Sequence, residues 1–303
     1  MYEGTRGDTE SQVSATFPQE RLPAYGVITD VNCGNAVPPG MTAVRSAWPN
    51  APEALIHCLV LWNIDLTLVD VSRITRDAYA DAFRRVTGRP LVQLPQLAGQ
   101  SESEIFFEAL ARNDAAPTVP AAMAPTEDGS DELLGRFVSE LAAAFGGRRE
   151  MLAKRGRILP GAREAVLAVA GLPGVVQSVL TGTIRPNAVQ KLRAFGLDGF
   201  FDFEIGGYGS EVYPKGAQLM MSRSRASEKY GMPFGEASTV YIGDSTRDVE
   251  AAHMGGARSV AIATGRCTEG DLRAAGADLV LPDLTEISAV TRAIQLLTMP
   301  SAG

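Results

Sequence analysis

Six polar residues stand in or just beyond the turns that follow short apolar runs: Asn63 and Asp65 in CLVLWNID, Thr181 after VVQSVL, Lys215 in EVYPKG, and Asp244 and Asp248 after TVYIG. Carboxylates gathered at one end of a sheet can hold a hard divalent cation through oxygen, and Mg²⁺ takes one or two carboxylates with phosphate and water completing its shell. A hydroxyl such as that of Thr181 and an ammonium such as that of Lys215 can then hold the remaining phosphate oxygens. The set points to a Mg²⁺-assisted site for a small phosphorylated molecule, if the fold brings the six together.

Each residue also has a plainer reading. Asp244 and Asp248 stand where a helix begins, and carboxylates there stabilise the helix dipole without a metal. Thr181 can be the N-cap of the helix that follows it. Single lysines in loops, as Lys215 is read, are usually surface charges. The basic cluster Arg148, Arg149, Lys154, Arg155 and Arg157 reads as a solvated face and stays outside the site.

The elements that must position these residues alternate along the chain. CLVLWNI, Cys58 to Ile64, is a continuous apolar run of the kind buried on both faces of a parallel sheet. From Ile158 onwards VVQSVLT, STVYIGD, RSVAIAT and ADLVLPD alternate with helical stretches such as RPNAVQKLRAFG and RDVEAAHMGG. Alternating βα units imply a parallel sheet with helices on both faces and a ligand crevice at the carboxyl ends of the strands. Between these parts lies a helical insert: TRDAYADAFRRVTG with Tyr79, Phe83 and Val86 on one face, SESEIFFEALARN, and DELLGRFVSELAAAF with Leu133, Leu134, Phe137, Val138 and Leu141 on one face. The stretch Ala115 to Pro125 reads as a loop, and residues 1–55 as a disordered or loosely packed extension.

Composition narrows the partners. In a chain of 303 residues a formal net charge of −7 argues against a broad electrostatic footprint for nucleic acid, so small molecules are expected instead. No apolar run approaches membrane-spanning length and the N-terminus has no secretory pattern, so no membrane association and a cytoplasmic location are expected. The three cysteines, Cys33, Cys58 and Cys267, form neither a disulfide framework nor a zinc motif. With two histidines, His57 and His253, catalysis must rest on carboxylates, Lys, Ser or Thr.

NIDLTL at 63–68, LTGT at 180–183, Lys215 and GDSTRD at 243–248 resemble, in order, the four motifs of the haloacid dehalogenase superfamily, across about residues 58–285. The resemblance implies a Rossmann-like three-layer α/β core, residues 56–71 and 157–303, with an inserted helical cap at 72–156, and phosphatase-type hydrolysis of a small phosphorylated metabolite. It implies Asp65 as acid/base, Thr181 and Lys215 as phosphate holders, and a Mg²⁺ site made by the positions of Asn63, Asp65 and Asp244, with Asp248 as support for the metal shell. It also implies that the cap chooses the substrate, with LAGQSESE around Gly99, Gln100 and Ser101 as the loop reaching inwards. Ser101 with Glu104 equally fits a capping box, and that reading is preferred for Ser101.

Two positions depart from the family pattern. Asn63 stands where the family has the aspartate that attacks phosphorus and shares the metal, and a neutral amide is a far poorer oxygen nucleophile than a carboxylate. Three readings stay open: a site that has lost turnover and keeps an isosteric amide, a substitution that traps a complex, or a chemistry run through Asp65 alone in a lyase- or cyclase-like enzyme. Binding of a phosphorylated ligand or a partner without hydrolysis belongs to the first of these. Leu66 stands where glycine is usual, adding bulk in a turn that favours a permissive backbone.

Overall fold

The computed structural model describes residues 57–97, 100–114, 127–211 and 214–298. The extension at 1–55, the loop at 115–125 and Gly99 lie outside the described residues. In chain order the strands are β1 (Cys58–Trp62), β2 (Val69–Asp70), β3 (Arg157–Ile158), β4 (Val175–Thr181), β5 (Gly207–Tyr208), β6 (Thr239–Gly243), β7 (Arg258–Ile262) and β8 (Leu279–Leu281). Six of them form one parallel sheet in the order β5-β4-β1-β6-β7-β8.

All five residues of β1 are buried, as its unbroken apolar run requires. Successive side chains of a strand point to opposite faces. Val60 and Trp62 accordingly join one core with Val179, Val240 and Ile242, while Leu59 and Leu61 join a second with Leu180, Leu219 and Tyr241. The sheet is thus the middle of three layers. Because β1 lies between β4 and β6, the chain leaves it in both directions across the sheet, and the crevice at its carboxyl end is where a ligand site is expected.

The helices are α1 (Ser72–Thr87), α2 (Glu102–Arg112), α3 (Glu127–Gly146), α4 (Arg149–Arg155), α5 (Ala162–Ala170), α6 (Arg185–Ala194), α7 (Lys215–Tyr230), α8 (Thr246–Gly255), α9 (Glu269–Ala274) and α10 (Ile287–Thr298). The first four form the insert. Its ends are tied together by the antiparallel pairing of β2 with β3, Val69 opposite Ile158 and Asp70 opposite Arg157. Phe137 of α3 stacks on Phe106 of α2 at 4.2 Å between ring centroids and meets Tyr79 of α1 at 5.6 Å. The helical periodicity of the sequence therefore converges on one aromatic centre. Gly88 ends α1 in the left-handed conformation, φ 72°, where glycine carries no Cβ penalty.

Ser101 and Glu104 form the capping box that the sequence suggests for the start of α2. The same helix start is seated on the core: the main-chain N–H of Glu102 donates to the Gly182 carbonyl at 3.0 Å. A Cβ on Gly182 would fall 1.9 Å from the Gln100 carbonyl oxygen, so glycine is required for this approach. Among the described residues no helix is long and apolar enough to cross a membrane.

Candidate active site

The carboxyl ends of β1, β4 and β6 and the start of α2 enclose a cavity of about 70 Å³. Against the roughly 10–15 Å³ that one water needs, this takes several waters or one small polar group. Its lining includes Asn63, Asp65, Leu66, Thr181, Lys215 and Asp244, and also Glu102, Thr183 and Lys191, which sequence reasoning did not single out. Five of the six sequence-derived residues thus meet at one cavity. The sixth, Asp248, lies behind it and is bonded to Lys215.

Asn63 leaves β1 with its main-chain N–H on the Ile242 carbonyl. Its amide nitrogen then faces three oxygens: Asp244 Oδ1 at 2.8 Å, the Asp65 carbonyl at 3.0 Å and Thr67 Oγ1 at 3.3 Å. Thr67 Oγ1 also donates to Asp244 Oδ1, at 2.8 Å. Burial first, and then the charge of Asp248, pushes the Asp244 carboxyl up to about 7, against the hydrogen bonds of Thr67 and Asn63 and the charge of Lys215. The turn is tight: Leu66 lies at φ 61°, one of two described non-glycine residues with positive φ, and its carbonyl accepts the Thr264 hydroxyl.

Asp248 has both oxygens engaged by protein donors. Oδ1 accepts from Lys215 Nζ at 2.6 Å and from the Tyr241 hydroxyl at 2.7 Å. Oδ2 accepts from the N–H groups of Asp244 and Ser245 and from Ser245 Oγ. Burial raises this carboxyl, but the charge and hydrogen bond of Lys215, with Tyr241 and Ser245, outweigh it and leave it below the usual carboxylate range. The plain reading of Asp248 as a helix-start residue is realised, since it completes a capping box with Ser245 on α8. It does so while holding Lys215. That lysine is the first residue of α7, with Pro214 before it, and its ammonium lies over the Tyr241 ring at 5.3 Å.

Thr181 ends β4, but α6 is capped at Ile184 without a side-chain bond, so Thr181 is not its N-cap. Its Oγ1 instead accepts the Thr183 N–H at 3.2 Å. Asp65, whose side chain is 38 % exposed, accepts from Lys191 Nζ at 2.6 Å and from Thr183 Oγ1 at 3.0 Å, and Lys191 also donates to Thr183 Oγ1 at 2.8 Å. Lys191 is 1 % exposed, and its ammonium lies over the Phe145 ring of α3 at 5.5 Å.

Glu102 is the other buried charge-bearing group missed in the sequence, 3 % exposed. Burial pushes its carboxyl up to about 8, with Lys191 opposing and Asp65 adding to the rise, while the Tyr79 hydroxyl and the Ile184 N–H donate towards it. The signal for Glu102 was its place beside Ser101 in a loop expected to reach inwards. Lys191 lies within α6, eight residues beyond Thr183 and outside the strand-end turns in which the sequence places the chemistry. His57 and His253 are exposed and do not line the cavity. In the basic cluster Arg148 pairs with Asp81, Lys154 with Glu150 and Arg157 with Asp70, away from the cavity lining.

The oxygens facing Asn63 Nδ2 are of the hard type that Mg²⁺ takes. They do not, as arranged, fit a cation. The point on which they converge is held by the amide nitrogen, which donates to all three. Among the described residues no group of three or more His, Cys, Asp or Glu side chains could hold a metal ion.

Residues 60–253 match the family of haloacid dehalogenase-like hydrolases, and the chain belongs to it. Among curated proteins it is 25 % identical over 252 residues to the probable phosphatase IndB of Dickeya dadantii (strain 3937), covering 79 % of this chain and 96 % of that one. Solved structures of the same fold include a predicted phosphatase from Clostridium acetobutylicum (16 % identity, 79 % of this chain and 99 % of that one, TM-score 0.55). CbbY from Rhodobacter sphaeroides in complex with phosphate is similar at 20 % identity, 76 % and 95 % coverage and a TM-score of 0.54. A predicted phosphoglycolate phosphatase from Haemophilus somnus 129pt is similar at 21 % identity, 78 % and 98 % coverage and a TM-score of 0.53.

Proposed function

We propose that the chain is a phosphatase-type scaffold for a small phosphorylated metabolite, with turnover low or lost at Asn63. The observation that carries this reading is the gathering of Thr181, Lys215, Asp65 and Asn63 around one cavity, in a family of hydrolases whose curated relative is described as a probable phosphatase. Lys215 supplies a positive charge and Thr181 a hydroxyl to the phosphoryl oxygens. Asp248 holds the ammonium of Lys215 in place, and Lys191 with Thr183 fixes Asp65 as the group that takes or gives a proton to the ester oxygen. Helices α1–α4 act as the cap, closing on the core through Glu102 and limiting the water that reaches the cavity. A cytoplasmic setting belongs to the same reading.

Asn63 holds the position from which the family attacks phosphorus, and its neutral amide lacks the negative charge that makes a carboxylate oxygen an effective nucleophile. Mg²⁺ belongs to the family's reaction, where it neutralises phosphoryl charge. Asn63 also favours a second reading, a protein that binds a phosphorylated ligand without cleaving it.

The test is phosphate release from a panel of small phosphomonoesters, comparing the unaltered chain with Asn63→Asp in the presence of Mg²⁺. Turnover by Asn63→Asp supports the phosphatase scaffold, and the preferred ester names the substrate class. Folded protein that releases no phosphate in either form, while an ester still raises its melting temperature, transfers the assignment to the binding reading.

A further inference from the structure

In a hydrolase-family site expected to hold a cation, three oxygens converge on a nitrogen that belongs to the protein. Asn63 Nδ2 lies within hydrogen-bonding distance of Asp244 Oδ1, the Asp65 carbonyl and Thr67 Oγ1. An amide N–H₂ carries two protons, partly positive and held on a rigid plane. It can therefore join the Asp244 carboxylate to the Asp65 carbonyl, two acceptors that carry no proton of their own. The neighbouring charges are met from within the chain as well: Lys215 pairs with Asp248 and Lys191 with Asp65. Asp244 Oδ1 takes its second hydrogen bond from Thr67.

We propose that the Asn63 amide stands in for the divalent cation in this chain, bridging Asp244, the Asp65 carbonyl and Thr67, so that the site is assembled and loaded without metal. The exchange of one atom decides the matter. With aspartate at 63 an acceptor oxygen would face the Asp244 carboxylate and the Asp65 carbonyl, and the single Thr67 proton, already given to Asp244, could not relieve both contacts as a cation or a further proton would. With asparagine the same geometry is a set of hydrogen bonds. A cation that entered would have to turn the amide away, giving up these bonds for one neutral oxygen ligand. The substitution thus removes the need for a cation together with the nucleophile. The part of the inference that concerns ligand loading rests on the phosphoryl-pocket reading.

Thermal melting of the full chain in EDTA and in millimolar Mg²⁺, each with and without inorganic phosphate, tests this. The unaltered chain is expected to melt at one temperature in EDTA and in Mg²⁺, with no saturable Mg²⁺ uptake by calorimetry. Phosphate is expected to raise that temperature equally in both media. Asn63→Asp is expected to melt lower than the unaltered chain in EDTA and to recover with saturable Mg²⁺ dependence. Saturable Mg²⁺ stabilisation of the unaltered chain overturns the inference, as does phosphate binding by that chain only when Mg²⁺ is present. Because the unaltered chain decides these arms, failure of Asn63→Asp to fold in EDTA and its rescue by Mg²⁺ also count in favour. If phosphate stabilises nothing in either medium, the phosphoryl-pocket reading falls and the Mg²⁺ arm alone judges the role of the amide.

Discussion

Replacing Glu102 by glutamine should stabilise the protein at alkaline pH and leave it nearly unchanged in mild acid. Burial holds this carboxyl at about 8 in the folded chain, against an ordinary value of 4.5. Below about 4.5 it is protonated in both states and contributes nothing to pH dependence. Between those two values the folded chain keeps a proton that the unfolded chain has released, so stability falls as pH rises, and the loss is complete above about 8. At 1.36 kcal/mol per unit the penalty of the ionised group is on the order of 5 kcal/mol. Glutamine has nearly the same shape and can still accept from Tyr79 and from the Ile184 N–H, but it carries no charge to desolvate. Urea unfolding of both proteins at pH 5 and pH 9 measures the difference, since every other titrating group is common to the pair. The expected result is a gain of a few kcal/mol for Glu102→Gln at pH 9 and little change at pH 5. A variant less stable than the parent by the same amount at both pH values would show that Glu102 is ionised throughout and needed as a partner for Lys191.

Lys191→Met leaves Asp65 and Glu102 without their shared cation. Water can reach the partly exposed Asp65, so the loss should be about 2 kcal/mol in denaturant unfolding, less than the roughly 3–5 kcal/mol of a fully buried broken pair. The alkaline loss of stability due to Glu102 should move to higher pH in the same variant; an unchanged stability curve would remove Lys191 from the network. Leu66→Gly relieves a left-handed backbone that costs a branched residue roughly 1–2 kcal/mol, offset by roughly 0.5–1 kcal/mol of added chain freedom. Stability should rise by up to about 1 kcal/mol, and a fall would mean that the Leu66 side chain holds the turn by packing.

The sheet was legible because its central strand is buried on both faces and leaves an unbroken apolar run, Cys58–Trp62, and because β4, though broken by Gln177 and Ser178, keeps apolar pairs on either side of them. Strands β2 and β3 were not, since two residues carry no period and their pairing joins the two ends of a long insert. In the site, Asn63, Asp65, Thr181 and Asp244 were found because they end buried strands or follow them directly. Lys215 was weighed as a surface charge, and Asp248 with Tyr241 gives it a buried place that spacing does not reveal. Lys191 and Glu102 were missed for one reason. A charged residue within an amphipathic helix, or at its first turn, is indistinguishable in sequence from a solvated one until the element packed over it is known. Phe145 of α3 covers Lys191, and the seating of α2 on Gly182 buries Glu102.

The most direct test of the account is the ratio of kcat/KM between Asn63→Asp and the unaltered chain on one phosphomonoester that both bind. Loss of the catalytic nucleophile costs a serine protease about 10⁶-fold in kcat. Restoring the carboxylate in a site otherwise intact should raise the rate by at least about 10³-fold, in a strictly Mg²⁺-dependent manner. A ratio near one, with both proteins turning over, would mean that Asn63 does not limit the chemistry and that the reaction runs through other groups of the cavity.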